Sequence, residues 1–412
     1  MDRKNKIIFA AGLAGTALLL AGCGDDLEAT IPTPEPIVVQ GEEVESQENN
    51  SVEENPAKEN PAKENLMEES SERFPTAGQQ KDSLEQSKQE YSLPEEITIK
   101  ISAAGDCSLG NYLQQEYAYS FNQTYDKAED PGYFFQNVKE IFEADDMTIV
   151  NLEGVLSDSE TPEEGRTYNI KGAPAYAGIL TAGSVEAVSM GNNHRQDYGV
   201  SGTKDTVAAL EEENIVYAYD DIVGIYEVKG IRIGFVSVNE VAWGYGCTGL
   251  IKDGIAKLKE QEADLIIACC HWGVEKDNYT EEYQNELGRI CIEEGADLVL
   301  GHHPHVLQGI EEYQGKYIVY SLANFCFGAN RNPTDKDTMI FQQTFTFVEG
   351  QLQPEAEARI IPCSVSSISE RNNFQPTPLT GEDAARVMER LNTYSEAYGV
   401  VVDEDGTLHK QS

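Results

Sequence analysis

The chain has 412 residues, 72 acidic and 30 basic, for a formal charge of −42. That balance excludes a nucleic-acid binder, whose affinity rests on lysine and arginine neutralising phosphates, and argues against adhesion to anionic lipid through a basic face. Forty per cent hydrophobic residues and 20 tyrosines still leave material for a large core.

Arg3, Lys4 and Lys6 precede an apolar run from Ile7 to Leu20, and polarity returns with Asp25 and Asp26. The run is too short for a comfortable membrane span and has the layout of a signal peptide. Its end, Leu20-Ala21-Gly22-Cys23, resembles the lipobox of bacterial lipoproteins. In that family the cysteine is lipidated and becomes the first mature residue. The expectation is a signal peptide over 1–23, lipidation at Cys23, and an extracytoplasmic protein anchored to the bacterial cell membrane. An ordinary secretory signal or an uncleaved anchor is the alternative.

Residues 24–96 hold 20 acidic and 5 basic residues, with a tandem Asn-Pro-Ala-Lys-Glu over 55–64. Such a composition buries too little apolar surface to offset ordering entropy, so a disordered acidic linker is expected. Strand-like text begins at Ile97–Ala104 and ends in Gly105-Asp106. Helix-like text over Tyr133–Ala144 leads to a second strand, Met147–Leu152, ending in Glu153. Val185–Met190 ends in Gly191-Asn192-Asn193-His194, and Thr203–Glu213 reads as a helix. Ile231–Val238 and Leu265–Cys270 read as strands, the latter ending in His271. Helical text over Glu281–Glu294 precedes the short strand Leu298–Leu300, which ends in Gly301-His302-His303-Pro304-His305. Tyr317–Leu322 and Thr338–Phe347 are further strands, and a last helix falls near Asp383–Ala397. The body is therefore expected over 97–398, with a polar tail over 399–412. Strands alternating with helices predict an α/β body with a substantially parallel sheet. The seven cysteines after Cys23 have no CxxC pairing and are expected as mostly free, buried thiols.

The polar residues fall in one kind of place. Asp106, Glu153, Asn193, His194, His271, His303 and His305 each lie just past the carboxyl end of an apolar strand, the edge where open α/β sheets bind ligands. With His302 beside them, five of the six histidines of the chain are spent there. Carboxylates, imidazoles and an Asn amide suit divalent metals such as Mn, Fe or Zn, and two such ions would activate a water for displacement chemistry.

Residues 97–345 resemble the CapA-type bacterial capsule-synthesis proteins, associated with poly-γ-glutamate production and similar to calcineurin-like metallophosphoesterases. The matching text is Gly105-Asp106, Asn151-Leu-Glu153, Asn192-Asn-His-x-x-Asp-x-Gly199, His271-Trp-Gly-x-Glu275, Gly295 through Val306 and Tyr320-Ser-Leu-x-Asn-Phe325. The resemblance implies a layered metallophosphatase-type α/β fold with flanking helices. It implies Asp106, Glu153, Asn193, His271, His303 and His305 as ligands of one or two metal ions, His194 as the proton donor to a leaving group and Asp197 as its orienting partner. His302 stays open, because the motif needs only two of three histidines. Metallophosphoesterases open with Asp-x-His, whereas here Cys107 and Ser108 follow Asp106.

Two functions are in competition. One is a cell-surface, metal-dependent hydrolase or transferase of capsule or poly-γ-glutamate assembly, acting on a phosphoester or an amide. The other is a non-catalytic assembly factor that binds an anionic polymer, its precursor or membrane components of a polymer synthase. Residues 97–412 carry 51 acidic and 22 basic residues, so a polyanion would have to find a local cationic patch. Glu275 reads equally as a ligand or as a solvated helix start, Asn151 as a ligand-side residue or a turn former. Trp272 and the Tyr320–Phe325 stretch read as packing.

Overall fold

Alternation along the strands sorts side chains onto two faces and so decides the layering. The computed structural model describes residues 96–354 and 357–411. The expected signal peptide, Cys23 and almost all of the acidic linker lie outside the described residues. In chain order the main elements are β1 (Glu96–Ser108), β2 (Met147–Leu152), β3 (Ala187–Ser189), α1 (Gly199–Glu212), β4 (Ile231–Asn239) and α2 (Cys247–Glu260). They continue with β5 (Leu265–His271), α3 (Glu282–Glu294), β6 (Leu298–His302), β7 (Lys316–Val319), β8 (Asn324–Phe327), β9 (Asp337–Val348), β10 (Glu357–Ser364) and α4 (Gly381–Ser395).

Two sheets result. The first runs β10, β9, β1, β2, β3 and then Val216–Ala218, with Thr377–Pro378 outside β10 and β8 also on β1. Its β1, β2 and β3 are mutually parallel. The second runs Ile310–Tyr313, β7, β6, β5, β4 and Gly224–Val228, with β4 through β7 parallel. Ile99, Ile101, Ile149 and Phe341 from the first sheet share one core with Phe235, Ile267, Leu298 and Leu300 from the second. The intervening residues point outward. Val150, Leu152 and Val188 pack with Leu210 of α1, while Val236, Ala268 and Val299 pack with Ile255 of α2 and Leu287 of α3. The fold is thus a mixed α/β body of two layered sheets with flanking helices. Burial on both faces explains why the parallel strands read as near-continuous apolar runs.

The strands expected from sequence are present, β5 and β6 each reaching one or two residues further to include His271 and His302. The expected helix over 133–144 is a short 3-10 turn, Pro131–Tyr133, and one turn of helix, Lys139–Phe142. Phe134, Phe135, Val138 and Phe142 are all buried there, so packing overrides helical spacing. Helix α2 has no clear sequence signature, because Gly249 and Gly254 lower its propensity. Gly254 is required by contact, since a Cβ there would lie 2.7 Å from Val236. The expected polar tail corrects to a hairpin, Val400–Val402 with Leu408–Lys410. Val400, Val402 and Leu408 alternate inward and join the central core. All seven cysteines among the described residues are free and buried. No helix among the described residues is long and apolar enough to cross a membrane.

Candidate metal centre

Parallel strands with level ends bring the candidate residues together. Asp106 pairs in register with Asn151 on β2, and His271 with His302 on β6. Gly105 lets β1 run close against the Ala323 turn, where a Cβ would sit 1.9 Å from the Ala323 carbonyl. That approach allows the Asp106 N–H to donate to the Ala323 carbonyl at 2.9 Å. Past β6, His303 and His305 both take positive φ, 95° and 59°, a conformation side chains other than glycine rarely adopt. Such backbone strain clusters where a loop must aim its side chains.

Asp106 and Glu153 are both 0% exposed. Asp106 accepts from the Asn151 amide at 2.8 Å and lies 3.0 Å from His305 Nδ1 and 3.3 Å from His302 Nδ1. Glu153 is different. Its Oε1 lies 3.7 Å from His305 Nε2, 3.8 Å from His271 Nε2 and 3.9 Å from His194 Nε2, and neither oxygen has a hydrogen-bond partner. These separations exceed hydrogen-bond length, yet suit ligands that share an ion at about 2.1 Å each. A buried carboxylate without a partner is costly, and a cation between it and the imidazoles answers that cost.

Donor atoms group accordingly. Asp106, Glu153 and His305 form one cluster within 4.8 Å, Glu153, His271 and His303 a second, and Glu275, His303 and His305 a third. Asn193 Oδ1 stands 2.9 Å from His271 Nε2, beside the second cluster. Glu153 therefore belongs to two clusters, as a bridging carboxylate would. The residues present fit one or two divalent ions.

Charge follows burial. Desolvation raises Glu153 above the usual carboxylate range, despite the neighbouring His305. Burial also disfavours charge on Asp106, but the neighbouring His302 and His305 imidazoles outweigh it and hold it well below that range. His271 is held well below its ordinary value by burial and by His303. His303 falls to about 4 by burial and the charge of His305, so it is neutral and able to donate a lone pair. His305, opposed by burial but flanked by Glu153 and Asp106, rises to about 9.

His194 sits at the rim. Its Nδ1 is 2.7 Å from Asp197 Oδ2, which leaves Nε2 turned toward Glu153. Asp197 is buried and also accepts from the Ile170 N–H at 2.6 Å, with Arg166 Nη1 at 3.1 Å from its other oxygen. Burial works against a charged His194, and the Asp197 hydrogen bond and Glu153 overcome it, so the imidazole is held above its ordinary value.

Four residues of the surroundings carried no clear functional signal in the sequence. Asn151 joins Asp106 to Asn192, whose Nδ2 donates to Asn151 Oδ1 at 3.0 Å and whose Oδ1 receives the His194 N–H at 3.1 Å. Asn324 Oδ1 lies 3.0 Å from His305 Nδ1, so the Tyr320–Phe325 stretch is both core and site wall. Arg166, in a polar loop, braces Asp197. The Asn-Asn-His text was the available signal for Asn192; Arg166 had none. Trp272 is packing, its indole N–H donating to the Tyr320 carbonyl at 2.9 Å. Asp264 and Asp297 accept backbone N–H groups of Arg232 and Ile266 at the opposite edge.

A cleft of about 480 Å³ opens from His194 and His305. Its outer walls include Tyr112, Tyr168, Lys276 and Arg331. Tyr112 and Tyr168 meet edge to face with centroids 5.3 Å apart.

Residues 100–329, which contain every candidate metal ligand together with His194 and Asp197, match the family model described as bacterial capsule synthesis protein PGA_cap. The chain is 30% identical over 254 residues to the PGA biosynthesis protein CapA of Bacillus subtilis (strain 168), covering 56% of this chain and 63% of that protein. It is 28% identical over 235 residues to the capsule biosynthesis protein CapA of Bacillus anthracis, covering 51% and 57%. A probable polyglutamine synthesis accessory protein of Mycobacterium tuberculosis (strain CDC 1551 / Oshkosh) is 26% identical over 206 residues, covering 43% and 54%. The matched segment thus spans less than two thirds of each relative's length.

Proposed function

Because this chain belongs to the bacterial capsule synthesis protein family, we propose that it is a metal-dependent hydrolase or transferase of capsule assembly, acting on a phosphoester or amide bond of an anionic polymer such as poly-γ-glutamate or its precursor. Lipidation of Cys23 would hold it at the outer face of the cell membrane, beside membrane components of a polymer synthase. The observation that carries the catalytic reading is the convergence of three imidazole nitrogens on one oxygen of a fully buried, unpartnered Glu153.

Asp106, Glu153 and His305 would hold one divalent ion, and Glu153, Asn193, His271 and His303 another. Ions bound there supply Lewis acidity toward a phosphoryl or carbonyl oxygen and a water of lowered pKa. The chain's own residues do the rest. Asp197 fixes the His194 tautomer by accepting a hydrogen bond from its Nδ1–H, so Nε2 can carry a proton toward the leaving group from the rim. Arg166 keeps Asp197 in place from behind. In the cleft, Lys276 and Arg331 offer positive charge to polymer carboxylates within an otherwise acidic body, and Tyr112 and Tyr168 offer apolar contact to its methylenes.

One observation favours the second reading, a polymer-binding assembly factor. Where metallophosphoesterases place the histidine of Asp-x-His, this chain has Ser108, and Cys107 packs into the outer core. Elemental analysis of the purified chain separates the two. Two metals per chain in wild type, lost in the His303→Ala/His305→Ala double variant, support the hydrolase and justify a phosphoester and γ-glutamyl screen. No metal after reconstitution with Mn, Fe or Zn leaves the assembly factor.

A further inference from the structure

The Asp-x-His departure leaves the two halves of the centre unequal. The Glu153–His271–His303 half has Asn193 beside it, whereas the Asp106–Glu153–His305 half has no fourth donor from β1. Cys107 is directed into the outer core with Leu152 and Phe325. Ser108, two residues past Asp106 and so on its side of the strand, offers only a hydroxyl, a much poorer ligand than imidazole.

A carboxylate approaches from the open side instead. Glu275 has an oxygen within 4.8 Å of ring nitrogens of both His303 and His305. Glu153 meets these histidines from the buried side, and Glu275 meets them from the cleft that it lines. Its position is fixed by its neighbours. Trp272 is anchored through its indole, Gly273 turns the chain at φ 87°, and the Lys276 N–H donates to the Pro304 carbonyl at 2.7 Å. That last bond staples the Glu275 loop to the loop carrying His303 and His305. Among the described residues Glu275 makes no ion pair with lysine or arginine, so its charge is not committed elsewhere.

We propose that Glu275 is a further ligand on the cleft side of the centre, sharing an ion with His303 and His305; this rests on the metal-centre reading above. Its carboxylate adds an oxygen donor to two imidazoles, a set that takes manganese, iron or zinc.

The test is Mn(II) titration of the chelator-stripped full chain, read by electron paramagnetic resonance of free Mn(II), for wild type, Glu275→Ala and Glu275→Gln. Because Glu275 is exposed, metal-free melting temperatures should be unchanged in both variants, which separates ligand loss from misfolding. Wild type should bind two Mn(II), and each variant should lose roughly tenfold or more in affinity at one site only. Wild-type stoichiometry and affinity in both variants would overturn the assignment, as would equal weakening of both sites. Absence of Mn(II) binding by wild type would instead overturn the metal-centre reading itself.

Discussion

Glu153 Oε1 and His305 Nε2 stand 3.7 Å apart with no hydrogen bond between them, where the buried centre meets the cleft. A carboxylate placed this way weakens the metal-free fold and strengthens the metal-bound one. Glu153→Gln should therefore reverse the order of stability. Without metal the variant should melt at or above wild type, because a buried, unsatisfied charge costs about 1–3 kcal/mol or more. With Mn(II) at a hundredfold excess over Kd, wild type should gain about 2.7 kcal/mol for each ion bound, while the variant gains much less. Thermal melts with chelator and with Mn(II) check both halves. A variant destabilised equally in both conditions would contradict the argument.

The His194–Asp197 pair predicts a proton affinity that depends on one contact. Burial alone would lower His194, and the carboxylate at 2.7 Å reverses that. In Asp197→Asn the raising contribution is lost, so the imidazole should titrate at lower pH than in wild type. Histidine ring resonances followed by NMR across pH report this without knowledge of the substrate. Once a substrate is found, His194→Ala should lower kcat by about 10²–10⁴-fold, with little change in KM. An unchanged His194 titration in Asp197→Asn would remove Asp197 from the orienting role.

Lys276 and Arg331 should differ in their hold on a polyanion. Lys276 has no ion-pair partner among the described residues, whereas Arg331 already lies 3.2 Å from Glu116 and donates to the Ala118 carbonyl at 2.8 Å. Exposed charge pairs contribute roughly 0.2–1 kcal/mol. Lys276→Glu should thus weaken binding of a fluorescent oligo-γ-glutamate several-fold, and Arg331→Glu less. Both losses should shrink at high salt, where exposed charges are screened. Fluorescence anisotropy at two ionic strengths gives the comparison. Equal affinities in wild type and Lys276→Glu would exclude the cleft as the polymer site.

Much of this was legible in the sequence because strand ends are local events. A run such as Leu265–Cys270 followed by His271, or Met147–Leu152 followed by Glu153, marks both a buried parallel strand and the edge where its last side chain emerges. What was not legible depended on distant pieces of chain. Asn324 meets His305 across a turn set by Ala323 at φ 62°, and Arg166 reaches Asp197 from a loop without regular pattern. Glu275 nears His303 and His305 only because Lys276 bonds to Pro304. Helix α2 and the Val400–Lys410 hairpin were likewise decided by packing, against Gly254 and against a polar composition.

At the opposite edge of the first sheet, two acids should give the fold a pH dependence unrelated to the metal centre. Asp145, just before β2, is pushed up to about 6, mainly by burial and then by Asp146. Glu186, just before β3, is pushed up to about 7, mainly by burial and then by Asp145. In an unfolded chain these groups titrate near 4. The folded protein thus holds protons that the unfolded chain has released between about pH 4 and 7. Stability from this source is full below pH 4 and is lost as pH rises through 6 to 7. Glu186→Gln mimics the protonated side chain and can keep the Thr148 N–H bond, 2.7 Å in wild type. The variant should therefore match wild type below pH 4 and melt at higher temperature than wild type at pH 8. Paired melts across that range measure the difference directly, and a gap that does not widen with pH would show that Glu186 is ordinary in the folded state.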